Sequence, residues 1–198
     1  HPICHQRTKR HTRSHAPLFN SKTKNIVLVG FRGTGKGAIG RAIAKRLEMK
    51  FFDTDKEIGK REKKEIPQIF KEIGEQGFRK IEKEVVAELA LKKKIVIATG
   101  GGVVIDDGNI QNLKSNGILI LLRSSPAEIY KRIRGDEGRP RLTDKGEFDE
   151  ILHLLREREP QYVKAADIEF NTDFRSINEC AVAIIKKLEE EGYINGQS

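Results

Sequence analysis

Short apolar runs alternate with amphipathic stretches along most of this chain of 198 residues. The run over 26–29 and the other continuous runs of aliphatic or β-branched residues are typical of strands buried on both faces of a parallel sheet. Strands are predicted over 26–29, from 51, over 95–98, over 118–122 and over 168–170.

The stretches between these runs carry apolar residues at helical spacing. Two of them open with a capping box, Ser125 with Glu128 and Ser176 with Glu179. Helices are predicted over about 36–49, several times within 56–92, from 125, over about 147–164 and from 176 to about 192. This order of strands and helices predicts an α/β fold, a doubly wound parallel sheet between two layers of helices.

The segment 30–36, between the first predicted strand and the first predicted helix, reads Gly-Phe-Arg-Gly-Thr-Gly-Lys. Glycines let the backbone curl so that successive N–H groups face phosphate oxygens, and the helix N-terminus adds partial positive charge. Lys36 can reach the β- and γ-phosphates of a nucleotide. Glycines alone would indicate only a turn, but the lysine, the preceding strand and the following helix favour a nucleotide site.

The residue after the lysine departs from the usual phosphate-binding loop. That position normally holds a Ser or Thr whose hydroxyl binds Mg²⁺, whereas this chain has Gly37 followed by Ala38. The phosphate cradle is unaffected, and because Mg²⁺ keeps several of its waters, a water can replace the hydroxyl.

Further polar groups follow the second and third predicted strands. Asp53 and Asp55 stand where α/β proteins place ligands, although either could instead cap the next helix. Arg79 and Glu82 are three residues apart on one helix face, a spacing that usually gives a solvated pair of small energetic worth. The glycines 100–102 leave backbone N–H groups open to close approach by a ligand.

In their order and spacing, these motifs closely resemble those of shikimate kinases over about residues 26–190. The matching residues are 30–36, 53–55, Gly74, Glu75, Phe78, Arg79, Glu82, 100–102, Arg139, Pro140 and Arg158. The resemblance implies a five-stranded parallel sheet of the nucleoside monophosphate kinase type with a P-loop, a mobile lid and substrate-binding helices. Two positions depart from the family pattern: Gly37, and Arg141, where the lid more often carries an apolar residue.

The resemblance also implies residue roles. The catalytic residues would be Lys36, Asp55 as the base and Arg139 on the lid. The ATP-binding residues would be Gly33, Thr34, Gly35, Lys36, Gly37, Ala38, Arg132, Arg139 and Arg175. The substrate-binding residues would be Asp55, Arg79, Gly101, Gly102 and Arg158. Asp53 would hold Mg²⁺ through a water.

The net charge of +9 is concentrated at one end, since residues 1–24 contain six cations and no acid. The rest of the chain has 32 cations against 29 acids, which suits phosphate and carboxylate ligands and does not require nucleic acid. Residues 1–24 offer a nucleic acid only one aromatic side chain, Phe19.

No apolar run approaches the roughly 20 residues that span a bilayer. Cys4 and Cys180 are interpreted as free thiols in a reducing compartment, which favours the cytoplasm.

Three segments are predicted. Residues 1–24 form a disordered basic tail or a targeting remnant, 25–192 form the kinase domain with a lid at about 135–146, and 193–198 form a C-terminal tail. The chain is expected to act as a monomer without nucleic-acid or membrane partners.

The expected reaction is transfer of the ATP γ-phosphoryl group to the 3-hydroxyl of shikimate. One alternative is another small-metabolite or nucleotide kinase on the same scaffold. A second alternative is a nucleotide-binding regulator whose catalysis weakened when the metal hydroxyl became Gly37.

Overall fold

Five strands and seven helices are found in residues 24–133 and 146–195, the part of the chain that the computed structural model describes. The strands are β1 (Asn25–Val29), β2 (Lys50–Asp53), β3 (Ile95–Ala98), β4 (Gly117–Arg123) and β5 (Ile168–Asn171). The helices are α1 (Lys36–Arg46), α2 (Thr54–Glu62), α3 (Ile66–Ala90), α4 (Asp107–Asn116), α5 (Pro126–Ile133), α6 (Glu147–Ala165) and α7 (Ile177–Glu190).

All five strands are parallel and lie in the order β2-β3-β1-β4-β5. The central strand β1 supplies alternate residues to two cores, because successive side chains of a strand point to opposite faces. Ile26 and Leu28 pack with α1 and α7, whereas Val27 and Val29 pack with α2, α3, α4 and α6. The predicted fold class, a five-stranded parallel sheet between helical layers, is confirmed.

The main difference from the predicted elements is one missed helix. Helix α4 was not predicted, although Asp106 caps it by accepting from the N–H of Gly108, and Gly117 follows its end. Helix α3 is kinked at Gly74, whose φ of 69° and ψ of −178° are not helical, so it consists of two helical parts, in agreement with the several helices predicted within 56–92. The capping box of Ser176 with Glu179 is present at the start of α7.

Apolar packing continues past α7, since Ile194 is buried against the core shared by α1 and α7. The predicted tail up to residue 23, the predicted lid over 135–145 and residues 196–198 lie outside the described residues. Among the residues described, no helix combines the length and apolar character needed to cross a bilayer.

Candidate active site

Three of the predicted motifs meet at one edge of the sheet. The phosphate-binding loop leaves the carboxyl end of β1, Asp53 is the last residue of β2 with Asp55 just beyond it, and the triglycine follows β3. Because β3 lies between β1 and β2, the three segments are neighbours in space although they are far apart in sequence.

The loop over 30–36 adopts the curled backbone that its glycines predict. Gly30, Gly33 and Gly35 have φ values of 141°, 80° and 91°. The ammonium of Lys36 donates to the carbonyl oxygens of Gly30 (2.6 Å) and Phe31 (2.8 Å). The lysine is thus folded back over the loop that it follows.

A cleft of about 400 Å³ opens beside this loop and is called the P-loop cavity below. Of the predicted ATP-binding residues, those that line it are Gly33, Gly35, Lys36, Gly37, Ala38 and Arg132. Thr34 is buried beneath the loop and donates to the Phe31 carbonyl.

Two of the arginines predicted to bind ATP, Arg132 and Arg175, lie in the described part of the chain, and only Arg132 lines the P-loop cavity. Arg132 donates to the carbonyl of Gly33 (3.2 Å) and to the hydroxyl of Thr172 (3.2 Å), which ties α5 to the loop. Arg175 is exposed, is not among the residues lining the P-loop cavity, and lies over the ring of Phe170 at 5.4 Å. Arg139 and Arg141 lie outside the described residues.

Asp53 has two uses at this edge. Its Oδ1 accepts from the N–H groups of Asp55 (3.0 Å) and Lys56 (3.3 Å), so it is the N-cap of α2. Its Oδ2 lies 3.6 Å from the point where a Cβ on Gly37 would stand. One carboxylate oxygen therefore caps the helix while the other faces the start of α1 beside the phosphate-binding loop.

A second cleft, of about 390 Å³, lies between α3 and α6 and is called the acceptor cavity below. All the predicted substrate-binding residues line it: Asp55, Arg79, Gly101, Gly102 and Arg158. Its apolar wall includes Ile66, Phe70, Phe78 and Leu154. The cavity therefore presents the cations of Arg79 and Arg158 and the carboxylate of Asp55, among other charged side chains, beside an apolar surface.

The pair of Arg79 and Glu82 is not a solvated surface pair. Arg79 Nη1 lies 2.7 Å from Glu82 Oε2, and the Glu82 side chain is only 1% exposed. Burial raises the pKa of Glu82, while the Arg79 cation acts in the opposite direction. Burial lowers the pKa of Arg79, but Glu82 and Glu75 outweigh that effect and raise it overall. The two carboxylates thus hold the guanidinium at the cavity wall.

Two of the three glycines, Gly100 and Gly102, leave little space for a side chain. A Cβ on Gly102 would meet the guanidinium of Arg79, with Cζ at 2.7 Å, and one on Gly100 would meet Asp55 Oδ1 at 2.7 Å. The N–H of Gly100 donates to the Thr54 hydroxyl (2.9 Å), so it is bonded within the protein. Backbone of the triglycine therefore lies directly against Arg79 and Asp55.

Tyr162 is a site residue that the sequence did not suggest. Its hydroxyl donates to the carbonyl of Gly101, and its side chain is buried. Burial raises the pKa of Tyr162 to about 12, and Arg158 acts in the opposite direction. The spacing of four residues from Arg158, one turn of α6, is the signal that could have found it.

A parallel sheet whose central strand runs into a phosphate-binding loop, with a second polar cavity beside that loop, defines a P-loop phosphotransferase. Comparison with known families gives the finer assignment, because the family model for shikimate kinase matches residues 32–189. The chain belongs to the shikimate kinase family.

Individual relatives agree with this assignment. The chain is 44% identical over 162 residues to the shikimate kinase of Caldicellulosiruptor saccharolyticus, covering 82% of this chain and 94% of the relative. It is 43% identical over 166 residues to that of Thermodesulfovibrio yellowstonii, covering 84% and 95%. The solved shikimate kinase of Acinetobacter baumannii in complex with shikimate superposes with a TM-score of 0.82 at 34% identity, covering 85% of this chain and 94% of that one.

Proposed function

We propose that this phosphotransferase moves the γ-phosphoryl group of ATP to the 3-hydroxyl of shikimate, giving 3-phosphoshikimate and ADP. The observation that carries the proposal is the meeting of the two cavities at Asp55, which lines both. A phosphate-binding loop then lies on one side of this carboxylate, and two arginines lie on the other.

On the donor side, Lys36 and the loop backbone bind the phosphates. The ammonium of Lys36 donates to two loop carbonyls. It can turn from these to the β- and γ-phosphates, whose charge makes them stronger acceptors. Arg132 lines the same cavity and adds positive charge. The resemblance assigns Arg139 to the transferred group.

On the acceptor side, Arg79 and Arg158 suit the carboxylate of shikimate, because guanidinium groups bind carboxylates in a bidentate, charge-assisted manner. Asp55 accepts the proton of the attacking hydroxyl. The hydroxyl oxygen forms the new bond to the γ-phosphorus as the bond to the ADP oxygen breaks, and ADP leaves with that electron pair. Gly101 and Gly102 supply backbone groups beside the substrate.

The described residues fit a Mg²⁺ ion that arrives with ATP and keeps most of its waters. When bound, the ion neutralises charge on the β- and γ-phosphates. Asp53 Oδ2, which faces Gly37, is the carboxylate oxygen that would hold one of its waters. Gly37 contributes no hydroxyl, so a further water takes that place.

The same proposal places the protein in the cytoplasm, acting as a monomer in aromatic amino-acid biosynthesis. One observation that suits a reducing compartment is that Cys180 is a buried free thiol.

The test is ADP release from ATP and Mg²⁺, measured with and without shikimate and with gluconate or nucleoside monophosphates as competing acceptors. We expect release to depend on shikimate and to be fastest with it. A faster reaction with another acceptor would favour a different kinase on this scaffold. ATP binding without turnover on any acceptor would favour the regulator hypothesis, to which Gly37 points.

A further inference from the structure

Arg32, in the middle of the phosphate-binding loop, lies where the two cavities meet. Three residues line both cavities: Arg32, Asp55 and Gly101. The backbone nitrogen of Arg32 lies 3.4 Å from the point where a Cβ on Gly101 would stand, so the loop and the triglycine are in direct contact. Arg32 is therefore part of the wall between the donor and acceptor sides.

The loop backbone at this point is anchored by its neighbour. Phe31 is 3% exposed and packs with Ile129, Ile151 and Leu154 in a small core under α5 and α6. Since the side chain before Arg32 is fixed in this way, the position from which Arg32 projects is fixed as well.

The guanidinium of Arg32 also has a buried charge partner on another element. Arg32 Nη2 lies 3.8 Å from Oε1 of Glu150 in the first turn of α6, and these side chains are 22% and 1% exposed. A carboxylate this deeply buried is costly without a cation nearby, so the pair constrains both groups. A separation of 3.8 Å is too long for a hydrogen bond between these two atoms. Glu150 therefore attracts the guanidinium by its charge and in this way orients it.

We propose that Arg32 is a catalytic residue, which binds the γ-phosphoryl oxygens while the group passes from ATP to the acceptor, and that Glu150 positions it. This inference rests on the proposed function. In the transition state the charge is spread over three equatorial oxygens, and a cation aimed there stabilises it more than it stabilises the ground state. Among the described residues, Arg32 is the cation that lines both cavities; Lys36 lines only the P-loop cavity, and Arg79 and Arg158 line only the acceptor cavity.

Arg32→Met keeps an unbranched apolar stem and removes the charged guanidinium. We expect kcat to fall roughly 10²- to 10³-fold, as when one preorganised donor is lost, with the KM values for ATP and shikimate changed by less than about threefold. Arg32→Lys keeps the charge without the planar fork and should recover about tenfold of the loss. Arg46→Met, at an exposed position in the last turn of α1, is the matched control and should behave as wild type.

Binding of two nucleotide complexes separates transition-state contact from ground-state contact. With shikimate present, ADP with aluminium fluoride mimics the transferring phosphoryl, whereas a non-hydrolysable ATP analogue mimics the ground state. Arg32→Met should bind the first about 10²-fold more weakly and the second within about threefold of wild type. Equal weakening of both would make Arg32 an ordinary ATP contact and would overturn the proposal, as would unchanged kcat.

Glu150 is tested as the positioning partner. Glu150→Gln should lower kcat about tenfold in wild type and have little further effect in Arg32→Met, because the two residues act as one unit. The double variant also removes both charges together, so it covers the case in which Arg32→Met alone unfolds because Glu150 has lost this ion pair. Independent effects of the two substitutions would contradict the pairing.

Turnover by the wild-type protein distinguishes a failure of the proposed function from a failure of the role given to Arg32. If the wild-type protein does not phosphorylate shikimate, the proposed function fails and the role of Arg32 fails with it. If wild type is active and Arg32→Met matches it, only the role of Arg32 is wrong.

Discussion

Gly37 leaves room for the hydroxyl that its position normally supplies. A Cβ there would stand 3.6 Å from Arg41 Nη1 and 3.6 Å from Asp53 Oδ2, both ordinary van der Waals distances. A water that replaces the hydroxyl must be immobilised, at a cost of up to about 2 kcal/mol. We expect Gly37→Ser to lower the Mg²⁺ concentration for half-maximal rate by roughly three- to thirtyfold. A Mg²⁺ titration at fixed ATP and shikimate measures this.

Gly37→Ala is the matched control for the serine variant. Like the serine variant, it replaces a glycine and so stiffens the first turn of α1, but it adds no oxygen atom. It should keep the Mg²⁺ dependence of wild type. An equal gain from alanine would assign the effect to the helix backbone instead of to metal ligation.

The hydroxyl of Tyr162 should remain a proton donor far above neutral pH. Its pKa is raised from 10.0 to about 12 by burial, so the neutral form is favoured in the folded state. The corresponding stability is fully present below pH 10 and is lost as the pH rises through about 12. Below pH 10 this effect contributes about 2–3 kcal/mol to the free energy of unfolding.

Tyrosinate absorbance measured against pH tests this directly. The chain has three tyrosines, and Tyr162→Phe should lose the ionisation step near pH 12. The phenylalanine variant should also lose less stability between pH 9 and pH 12 than wild type. Identical titration curves for the two proteins would show that Tyr162 is not buried as described.

At the scale of elements, α3 and α6 face each other across the acceptor cavity, and each contributes one arginine. Losing a charge-assisted contact to a carboxylate typically costs about 1.5–3 kcal/mol, or roughly 10- to 150-fold in affinity. We expect Arg79→Ala and Arg158→Ala each to raise the KM for shikimate by that factor and to leave ATP binding nearly unchanged. Steady-state kinetics with each substrate varied in turn provides the measurement.

The two arginines should differ in their effect on stability. Arg79→Ala leaves Glu82 buried without its cation, so its Tm should fall, and Arg79→Ala/Glu82→Gln should recover part of the loss. Arg156→Ala, exposed on the same helix as Arg158, should change neither KM nor kcat. A normal KM for shikimate in either cavity variant would remove that arginine from the acceptor site.

Helices and strands with a strong hydrophobic pattern could be predicted from the sequence, whereas those with a weak pattern could not. The run over 26–29 could only be a doubly buried strand, and the structure buries every residue of β1. Helix α4 was missed because its ten residues include only two large apolar side chains, Ile110 and Leu113. The sequence at its start, an Asp followed by polar residues, is equally typical of a loop. Only the structure shows that Leu113 is buried in the core.

The candidate site also has features that the sequence predicts and features that it does not. The P-loop, Asp55 and the triglycine could be placed at one edge because parallel strands bring their carboxyl ends together. The burial of Glu82 could not be predicted, since a spacing of three residues gives the same pattern for a solvated pair and for a buried one. The contact of Tyr162 with Gly101 spans 61 residues and depends on the packing of α6 against the sheet.

At the scale of the whole molecule, the basic segment 1–24 and the site are separate in sequence. Every described residue that lines the two cavities lies between Phe31 and Gln161. Deleting residues 1–24 should therefore leave kcat and both KM values within about twofold, since the segment has no apolar stripe with which to dock. Kinetics of the shortened protein test this, and a large loss of activity would make the segment part of the site.

The position of β1 at the centre of the sheet has a consequence for how the molecule comes apart. Its five residues are buried and it pairs with β3 on one side and β4 on the other, so its amide hydrogens exchange with solvent only when the whole domain opens. The acceptor cavity is walled instead by α3, whose continuity is broken at Gly74, and by α6. We therefore expect the walls of the acceptor cavity to loosen at a lower temperature than the sheet around β1.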